Sequence, residues 1–431
     1  MRILVLGGYG LIGFPVVQRL LAAGHRVTGL GRSVAAARRS CPEASWLEHD
    51  IAQLVRASDW LPILSGFDAV LNCSGALQDS PRDNLQALQA DAMKALFEAC
   101  RMAGVTRVVQ VSAVGVSPGS NTAFFRTKAE ADAALLRSDL SWIILRPGLV
   151  LAPAAYGGTA LLRGLASFPV FVPIIGGSQA IQTVSIDDVA DTVRDALGGR
   201  LPANRIYDLV EERAHTLRQV VSAYREWLGL PPARILSIPP WIGSLAACVG
   251  DGLAHLGWRS PLRTTALLQL DHGVVGDPKP WIAACGRTPQ DLKTTLRSRP
   301  ATIQERWFAR LWLLKSLVSA ILALFWIMSG VVGLAKLDAA VAILTQHGMS
   351  FVVAEASIVG GSVLDILLGV LLLIRRFHRV AALGMIATSL MYLALATIVT
   401  PDLWLDPLGP LVKSIPAAVL ALVALAIADE R

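Results

Sequence analysis

The chain begins with MRILVLGGYGLIG, residues 1–13, and this stretch decides the fold of its N-terminal part. Residues 2–6 have the apolar composition of a short buried strand, and residues 14–23 have the periodicity of a helix. The glycines Gly7, Gly10 and Gly13 separate these two elements. A strand, a glycine turn and a helix in this order predict the start of a parallel α/β sheet.

The glycine spacing also predicts what the turn binds. Gly7 and Gly10 permit a tight turn and a close approach to a ligand, and Gly13 lets the helix pack against the strand. The N–H groups at a helix N-terminus favour an anion, and residues 25–30 supply a second strand. The sequence therefore predicts a dinucleotide site. Its pyrophosphate-binding turn consists of Gly7, Tyr9, Gly10, Leu11, Ile12 and Gly13.

Length and hydropathy indicate several domains. The 431 residues suffice for two or three domains, and 54% of them are hydrophobic. The excess lies after residue 310, in four long apolar runs without a charge cluster inside them. We expect a nucleotide-binding domain at 1–150, a substrate-side segment at 151–300 and a membrane domain at 301–431. The predicted spans are 316–335, 351–374, 380–400 and 408–428.

Charge and cysteine content exclude other classes. The net charge is +7, but the basic residues are scattered or flank the apolar runs, so we predict no nucleic-acid partner. The five cysteines lie far apart, without metal-ligand spacing, and an odd number argues against a disulfide framework. We expect no metal and a reducing compartment. The oligomeric state is not indicated.

Basic residues set the expected membrane orientation. They cluster before the first span and between the second and third spans, whereas residues 336–347 and 401–406 carry no such cluster. Both termini are therefore expected in the cytoplasm, in a multi-pass protein of a bacterial-type inner (plasma) membrane. The clustered residues are Arg306, Arg310, Lys315, Arg375, Arg376 and Arg379.

The ends of the next strands suggest which nucleotide binds. No Asp or Glu follows the second strand at the place where the ribose hydroxyls of NAD are usually held; Arg32 stands there instead. A guanidinium matches a 2′-phosphate, so NADP(H) is favoured over NAD(H), the alternative being a solvated surface arginine. After the third strand, Asp50 is placed to reach the adenine, next to Ile51.

Small polar residues end two further strands. One apolar strand stops at residues 72–75, which include Cys73, Ser74 and Gly75, and another stops at Ser112. Small side chains at these positions suit strands that pass under a cofactor.

Several of these motifs together resemble the short-chain dehydrogenase/reductase superfamily, in the atypical branch that includes the complex I accessory subunit. The resemblance covers residues 1–299. It implies a Rossmann-type doubly wound parallel sheet with a small substrate-side subdomain, and it places Pro147 at the cofactor. The motifs are residues 7–13, 50–51, 72–75, 112–113, 128–131 and 145–148.

The resemblance also implies a catalytic set, and the chain departs from it at one position. Members of the superfamily use a serine, a tyrosine and a lysine four residues after the tyrosine. Ser112 and Lys128 match, but Phe124 occupies the tyrosine position. Lys128 is then expected to hold the ribose and Ser112 to border the nicotinamide. Either Tyr156 supplies the missing acid from a loop, or hydride passes to a flavin or quinone that takes protons from water.

The C-terminal part resembles the DoxX-like family of four-helix membrane proteins, on residues 404–413 and on the second span. The resemblance implies an all-α four-helix transmembrane domain. Asp365 lies in the middle of the second span, either as a structural hydrogen-bonding group or in a proton or quinone site. Upstream, residues 235–258 form an apolar stretch that either lies in the headgroup region or lines a substrate pocket.

These patterns predict a membrane-anchored NAD(P)(H)-binding oxidoreductase that acts on a small apolar or membrane-dissolved acceptor, such as a quinone. The alternative is a non-catalytic NADP(H)-binding regulatory or assembly module of a membrane complex, which the phenylalanine at position 124 favours.

Overall fold

The structure is a computed structural model that describes residues 1–80, 83–258, 262–271, 273–407 and 409–428. The chain forms two compact units. The α/β unit comprises Met1–Asp251 and Ser260–Arg306, and the membrane unit comprises Gly252–Arg259 and Trp307–Arg431. The substrate-side segment predicted at 151–300 contributes most of its residues to the same compact unit as the nucleotide-binding segment.

The strands alternate with helices along the α/β unit. The strands are β1 (Arg2–Leu6), β2 (Arg26–Gly31), β3 (Ser45–Glu48), β4 (Ala69–Asn72), β5 (Arg107–Val111), β6 (Ser141–Pro147), β7 (Leu149–Leu151), β8 (Phe171–Ile175), β9 (Ala180–Ile181), β10 (Thr183–Ser185), β11 (Arg205–Leu209), β12 (His215–Thr216) and β13 (Arg234–Ile238).

The first helices follow the same order. They are α1 (Gly13–Ala22), α2 (Ala35–Ser40), α3 (Ala57–Leu64), α4 (Ala92–Ala103), α5 (Ala123–Leu136), α6 (Gly158–Ala166), α7 (Ile186–Leu197), α8 (Leu217–Trp227), α9 (Pro240–His255), α10 (Thr264–Asp271), α11 (Lys279–Cys285) and α12 (Leu292–Arg297). Short 3-10 and π-helical turns occupy Ile51–Gln53 and Gln86–Asp91.

The main sheet has seven strands in the order β11-β6-β5-β4-β1-β2-β3, and every neighbouring pair is parallel. Strand β1 is fully buried after its first residue, because both faces of a parallel sheet are covered by helices. Smaller pairings, β7 with β10, β8 with β13 and β9 with β12, build the substrate-side subdomain. The predicted doubly wound fold is confirmed.

Alternate residues of each strand supply two separate cores. Ile3 and Val5 of β1 pack with Val16 of α1 and Val189 of α7 on one face. On the other face, side chains such as Leu6 lie in the core formed with α3, α4 and α5. Period-2 alternation along buried strands produces this three-layer arrangement, which places the carboxyl ends of all seven strands at one edge.

The membrane unit is helical. Among the described residues, three helices are long and apolar enough to cross a membrane: α13 (Ile303–Ala335), α15 (Phe351–Leu373) and α16 (His378–Val399). The fourth predicted span falls on a shorter apolar helix of 17 residues, so the fourth crossing stays a prediction. The shorter helices are α14 (Leu337–Gln346) and α17 (Pro410–Ala426), and a 3-10 turn covers Pro401–Trp404.

Candidate functional site

The glycine turn lies where the strand order of the sheet reverses. Strand β1 is flanked by β2 and β4, so a crevice opens between the carboxyl ends of β1 and β4. Gly7 has a φ of +67°, and a Cβ atom there would lie 2.9 Å from the Cα atom of Ser74. The N–H of Gly10 donates to the Gly7 carbonyl at 2.9 Å and closes the turn. Any side chain at position 7 would collide with the backbone of residues 73 and 74, which follow β4.

The N-terminus of α1 opens onto the same crevice. A Cβ atom at Gly13 would collide with the carbonyl oxygen of Gly7, so glycine at this position permits the close approach of helix and strand. The N-cap residue is Ile12, which has no side-chain acceptor, and the first turn holds no acidic residue. Leu11 and Ile12 are half-buried. This geometry suits a pyrophosphate, because no side chain competes with it for the helix N–H groups.

The end of β2 is organised by Tyr9. Its ring packs against Gly31, and its phenolic oxygen accepts a hydrogen bond from the Arg32 backbone N–H at 3.2 Å. The Arg32 guanidinium donates to the carboxylate of Asp83 at 2.5 Å. Asp83, which the sequence reasoning missed, also accepts from the hydroxyl of Ser80 at 3.0 Å. The arginine predicted to bind a 2′-phosphate therefore pairs with a carboxylate in this structure.

The end of β3 carries the predicted adenine contact. The Asp50 carboxylate accepts a hydrogen bond from the Ala52 backbone N–H at 3.2 Å and caps a 3-10 turn. Ile51 is buried beneath it in the core. The capping fixes the carboxylate at the carboxyl edge of the sheet, next to the end of β2.

A side-chain amide fixes the loop after β4. The Asn72 amide oxygen accepts from the backbone N–H of Ser74 at 2.8 Å, and its amide nitrogen donates to the Gln110 side chain at 2.9 Å. Gly75 follows, and a Cβ atom there would lie 3.6 Å from Nζ of Lys128. The predicted small-residue run therefore reaches the buried lysine.

The thiol of Cys73, in this loop, is half-buried. Burial raises the pKa of Cys73 to about 12, against a smaller opposing effect of the Lys128 charge. A thiol with this pKa is uncharged at neutral pH, so Cys73 does not act as a thiolate nucleophile.

Ser112 and Lys128 come together at the end of β5. The buried Lys128 ammonium donates to the Val111 carbonyl at 3.1 Å, and burial lowers its pKa. The Phe124 ring lies one helical turn earlier on α5, with its centroid 5.7 Å from the Lys128 nitrogen. The three positions of the superfamily pattern therefore lie near one another, with a phenyl ring where a phenol is usual.

A buried carboxylate that the sequence reasoning missed completes this cluster. Ser112 donates its hydroxyl hydrogen to Asp132 at 2.8 Å, and Arg146 donates to the same carboxylate oxygen at 3.2 Å. The second oxygen of Asp132 is buried without a hydrogen-bond partner, and burial raises the pKa of this carboxyl. The pattern that identifies Asp132 is its spacing, since residues 124, 128 and 132 lie on one helical face.

Two other predicted residues lie at the edges of the substrate-side subdomain. Pro147 is buried at the end of β6, and its carbonyl accepts from the Val114 backbone N–H at 3.3 Å. Tyr156 is 39% exposed in the loop before α6, where its backbone is hydrogen-bonded to the Thr159 hydroxyl. This loop position leaves the role of Tyr156 as a proton donor a prediction.

The membrane unit holds a polar cluster around Asp365. The carboxylate is buried and accepts hydrogen bonds from Ser329 at 2.9 Å and from the phenol of Tyr392 at 3.1 Å. These three side chains come from α13, α15 and α16. Among the described residues, no group of three or more His, Cys, Asp or Glu side chains is arranged to hold a metal ion.

Two family models match the chain. Residues 7–198 match a family described as NAD(P)H-binding, and residues 323–422 match the DoxX-like family.

Two curated relatives are reductases. The 3-diazoavenalumate denitrifying reductase of a Streptomyces species is 28% identical over 272 residues, which cover 55% of this chain and 84% of that protein. The NAD(P)H azoreductase of Xenophilus azovorans is 25% identical over 229 residues, which cover 53% of this chain and 74% of that protein.

Solved structures show the same fold at low identity. The UDP-glucose 4-epimerase of Thermus thermophilus in complex with NAD has a TM-score of 0.51 at 22% identity, and the match covers 69% of this chain and 98% of that chain. The Bordetella bronchiseptica enzyme WbmG in complex with NAD and UDP has a TM-score of 0.54 at 18% identity, covering 69% and 93%.

The chain therefore combines an N-terminal NAD(P)-binding Rossmann domain, similar to those of short-chain dehydrogenases/reductases, with a C-terminal DoxX-like domain. Both resemblances predicted from the sequence are confirmed. The DoxX-like region and its apolar helices indicate association with a lipid bilayer.

Proposed function

We propose that this chain is a membrane-anchored reductase that transfers hydride from NADPH to an apolar acceptor with an electron-poor conjugated group, such as a quinone. The observation that carries the proposal is the replacement of a proton-donating phenol by Phe124 in a cluster that keeps Ser112 and Lys128.

The missing phenol restricts the acceptor. Hydride addition to an isolated carbonyl produces a strongly basic alkoxide, which needs a positioned acid as it forms. Phe124 has no ionisable proton. A quinone or an azo group spreads the incoming electron pair over a conjugated system, and a water proton then completes the reduction. Such an acceptor needs positioning more than it needs an acid.

The names of two relatives agree with this class of acceptor. One is called a reductase of a diazo compound and the other an azoreductase. Both names denote substrates with nitrogen–nitrogen multiple bonds, which, like a quinone, are hydride acceptors other than a simple carbonyl. The membrane unit is a further reason to expect a lipid-soluble acceptor, because its apolar helices would anchor the enzyme in the bilayer in which such molecules dissolve.

The residues of the α/β unit have distinct roles in this proposal. The bound nicotinamide supplies the hydride. Lys128 holds the ribose through its buried ammonium, Ser112 borders the nicotinamide, and Asp132 fixes the direction of the Ser112 hydroxyl. Arg32 receives the 2′-phosphate, which is the reason to favour NADP(H), and Asp50 meets the adenine. The glycine turn holds the pyrophosphate.

The proposed orientation keeps both termini in the cytoplasm of a bacterial-type cell, with the chain crossing the inner membrane. Arg375 and Arg376 lie between α15 and α16, and Arg379 lies in the first turn of α16. Cytoplasmic loops and the helix ends beside them are enriched in such residues.

The test uses the full chain in lipid nanodiscs with NADPH and three acceptors: a naphthoquinone, an azo dye and an aliphatic aldehyde. The loss of NADPH absorbance should occur with the first two and not with the aldehyde. Phe124→Tyr should add aldehyde reduction, because it restores the phenol beside Lys128. Phe171→Tyr, on an exposed strand position, is the matched control and should change nothing.

A second function is favoured by the same phenylalanine together with the uncharged Cys73 thiol. In it, the α/β unit binds NADP(H) without turnover, and its occupancy stabilises or regulates a membrane assembly. Tight NADPH binding without oxidation by any of the acceptors, in wild type and in Phe124→Tyr, would favour this second function, and turnover would exclude it. Aldehyde reduction by the wild type would refute the argument from the missing phenol.

A further inference from the structure

Helix α9 exposes large apolar side chains on one face and buries glycine and alanine residues on the opposite face. Trp241, Leu245 and Val249 are 68%, 61% and 57% exposed, and together they form what we call the α9 stripe. Their spacing of four residues places them on one helical face, over about 12 Å of helix. The opposite, buried face consists of Gly243, Ala247, Gly250 and Ala254.

The buried face prevents the helix from turning its large side chains inward. A Cβ atom at Gly243 would lie 2.6 Å from the Cδ1 atom of Ile175 in β8, so the helix backbone already contacts the strand closely. A leucine or tryptophan has no room there. The α9 stripe is therefore built to face an apolar environment outside the α/β unit.

The chain that leaves α9 is bonded to the helices of the membrane unit. The carbonyl of Leu256 accepts from the Arg375 backbone N–H at 3.0 Å, and the indole of Trp258 donates to the Leu373 carbonyl at 2.6 Å. The Trp258 ring also packs edge-on against His378, with centroids 5.2 Å apart.

These partners lie at one end of two apolar helices. Leu373 ends α15 and His378 begins α16, and both helices are long and apolar enough to cross a membrane. Residues 256–258 are therefore fixed to the adjoining ends of α15 and α16 within the membrane unit. Along the chain, Val249 stands three residues before Gly252, the first residue of the membrane unit.

We propose that α9 is an interfacial helix, with the α9 stripe inserted into the boundary between lipid headgroups and acyl chains. Trp241 and Trp258 lie near its two ends, and tryptophan is enriched at this depth of a bilayer. The carboxylate of Asp251, which follows the stripe in sequence, forms an ion pair with Arg263 at 2.6 Å, so its charge is paired within the protein. Of the two interpretations that the sequence leaves open for residues 235–258, the exposed stripe supports lipid contact.

The test measures lipid contact at single positions of the full chain in nanodiscs. Leu245→Cys and Met102→Cys are each made in a Cys248→Ser background and labelled with bimane. Met102, on α4, is 56% exposed and apolar, so it is a matched control. Lipids with a doxyl group at acyl carbon 5 or carbon 16 quench nearby bimane at shallow or deep positions.

Bimane at position 245 should lose at least half of its fluorescence with the shallow quencher and less with the deep one, while bimane at position 102 stays unquenched. Trp241→Glu combined with Val249→Glu should abolish the quenching at 245 and leave NADPH binding intact. Equal quenching at both positions overturns the proposal. Absence of quenching at position 245 also overturns the proposal. This is the result expected if a second copy of the chain or another protein, rather than lipid, covers the helix.

Discussion

Asp83 is predicted to limit how well the site distinguishes NADPH from NADH. Its carboxylate accepts from Arg32 at 2.5 Å, so a 2′-phosphate must either displace it or bind beside a negative charge. Exposed ion pairs contribute ~0.2–1 kcal/mol, whereas buried hydrogen bonds to charged groups contribute ~1.5–3 kcal/mol. The Arg32 side chain is 36% exposed and that of Asp83 is 10% exposed, which places this pair between the two ranges.

The change Asp83→Asn keeps the shape and the hydrogen bond from Ser80 but removes the charge. A relief of about 0.5–1.4 kcal/mol corresponds to NADPH binding that is about 2- to 10-fold tighter. NADH has no phosphate at this position, so its affinity should stay within about twofold.

The assay is a titration of the full chain with each reduced nucleotide, followed by nucleotide fluorescence. Asp59→Asn, which removes an ion pair with Arg56 at 3.0 Å on the surface, is the control. Arg32→Ala should weaken NADPH binding selectively. Weaker NADPH binding in Asp83→Asn, or an equal change for both nucleotides, would refute the role assigned to Arg32.

Three further predictions concern other parts of the chain. Lys128→Met should weaken the binding of both nucleotides at least about tenfold in the same titration. The control is Lys94→Met, which removes an exposed ion pair with Glu130 and should not weaken binding. Equal effects of the two changes would contradict the assignment of Lys128 to the ribose. Because burial raises the pKa of Cys73 to about 12, its alkylation, followed by peptide mass spectrometry, should be far slower at pH 8 than that of exposed Cys248. The Cys73 rate should rise about tenfold per pH unit up to pH ~11, and a rapid reaction at pH 7 would contradict the assignment. Ser329→Ala and Tyr392→Phe should each lower the free energy of unfolding of the membrane unit in detergent by ~0.6–1.7 kcal/mol. The control is Ser357→Ala, because the Ser357 hydroxyl donates to the Val353 carbonyl of its own helix. Unchanged stability in the first two variants would contradict the structural role of Asp365.

Local sequence patterns were sufficient to predict the geometry of the glycine turn between β1 and α1. Gly7, Gly10 and Gly13 lie within one turn, and their need for glycine follows from backbone geometry that the sequence order already implies. The strand ends follow from short apolar runs in the same way. Ser112 and Lys128 were found because their spacing and context match a known superfamily, and the structure places them in one cluster.

Partners that are distant in sequence were not predictable. Ser112 and Asp132 are separated by 20 positions, and Arg32 and Asp83 by 51. Each carboxylate has an ordinary local context, and only the packing of α5 on the sheet, or of the loop after β4, brings it to its partner. The environment of the α9 stripe was not predictable from the sequence for a different reason. Both faces of that helix are apolar or small, so hydropathy alone does not indicate which face is buried.

The central claim is that the glycine turn at the front of the sheet binds a pyridine nucleotide. Titration calorimetry of the full chain with NADPH tests it directly, using wild type, Gly13→Val and Gly119→Val. A side chain at position 13 would collide with the Gly7 carbonyl, whereas one at position 119 would meet nothing within 4 Å. Wild type and Gly119→Val should bind NADPH saturably, and a folded Gly13→Val should not bind it. Undiminished binding to Gly13→Val, or no binding to wild type, would contradict the central claim.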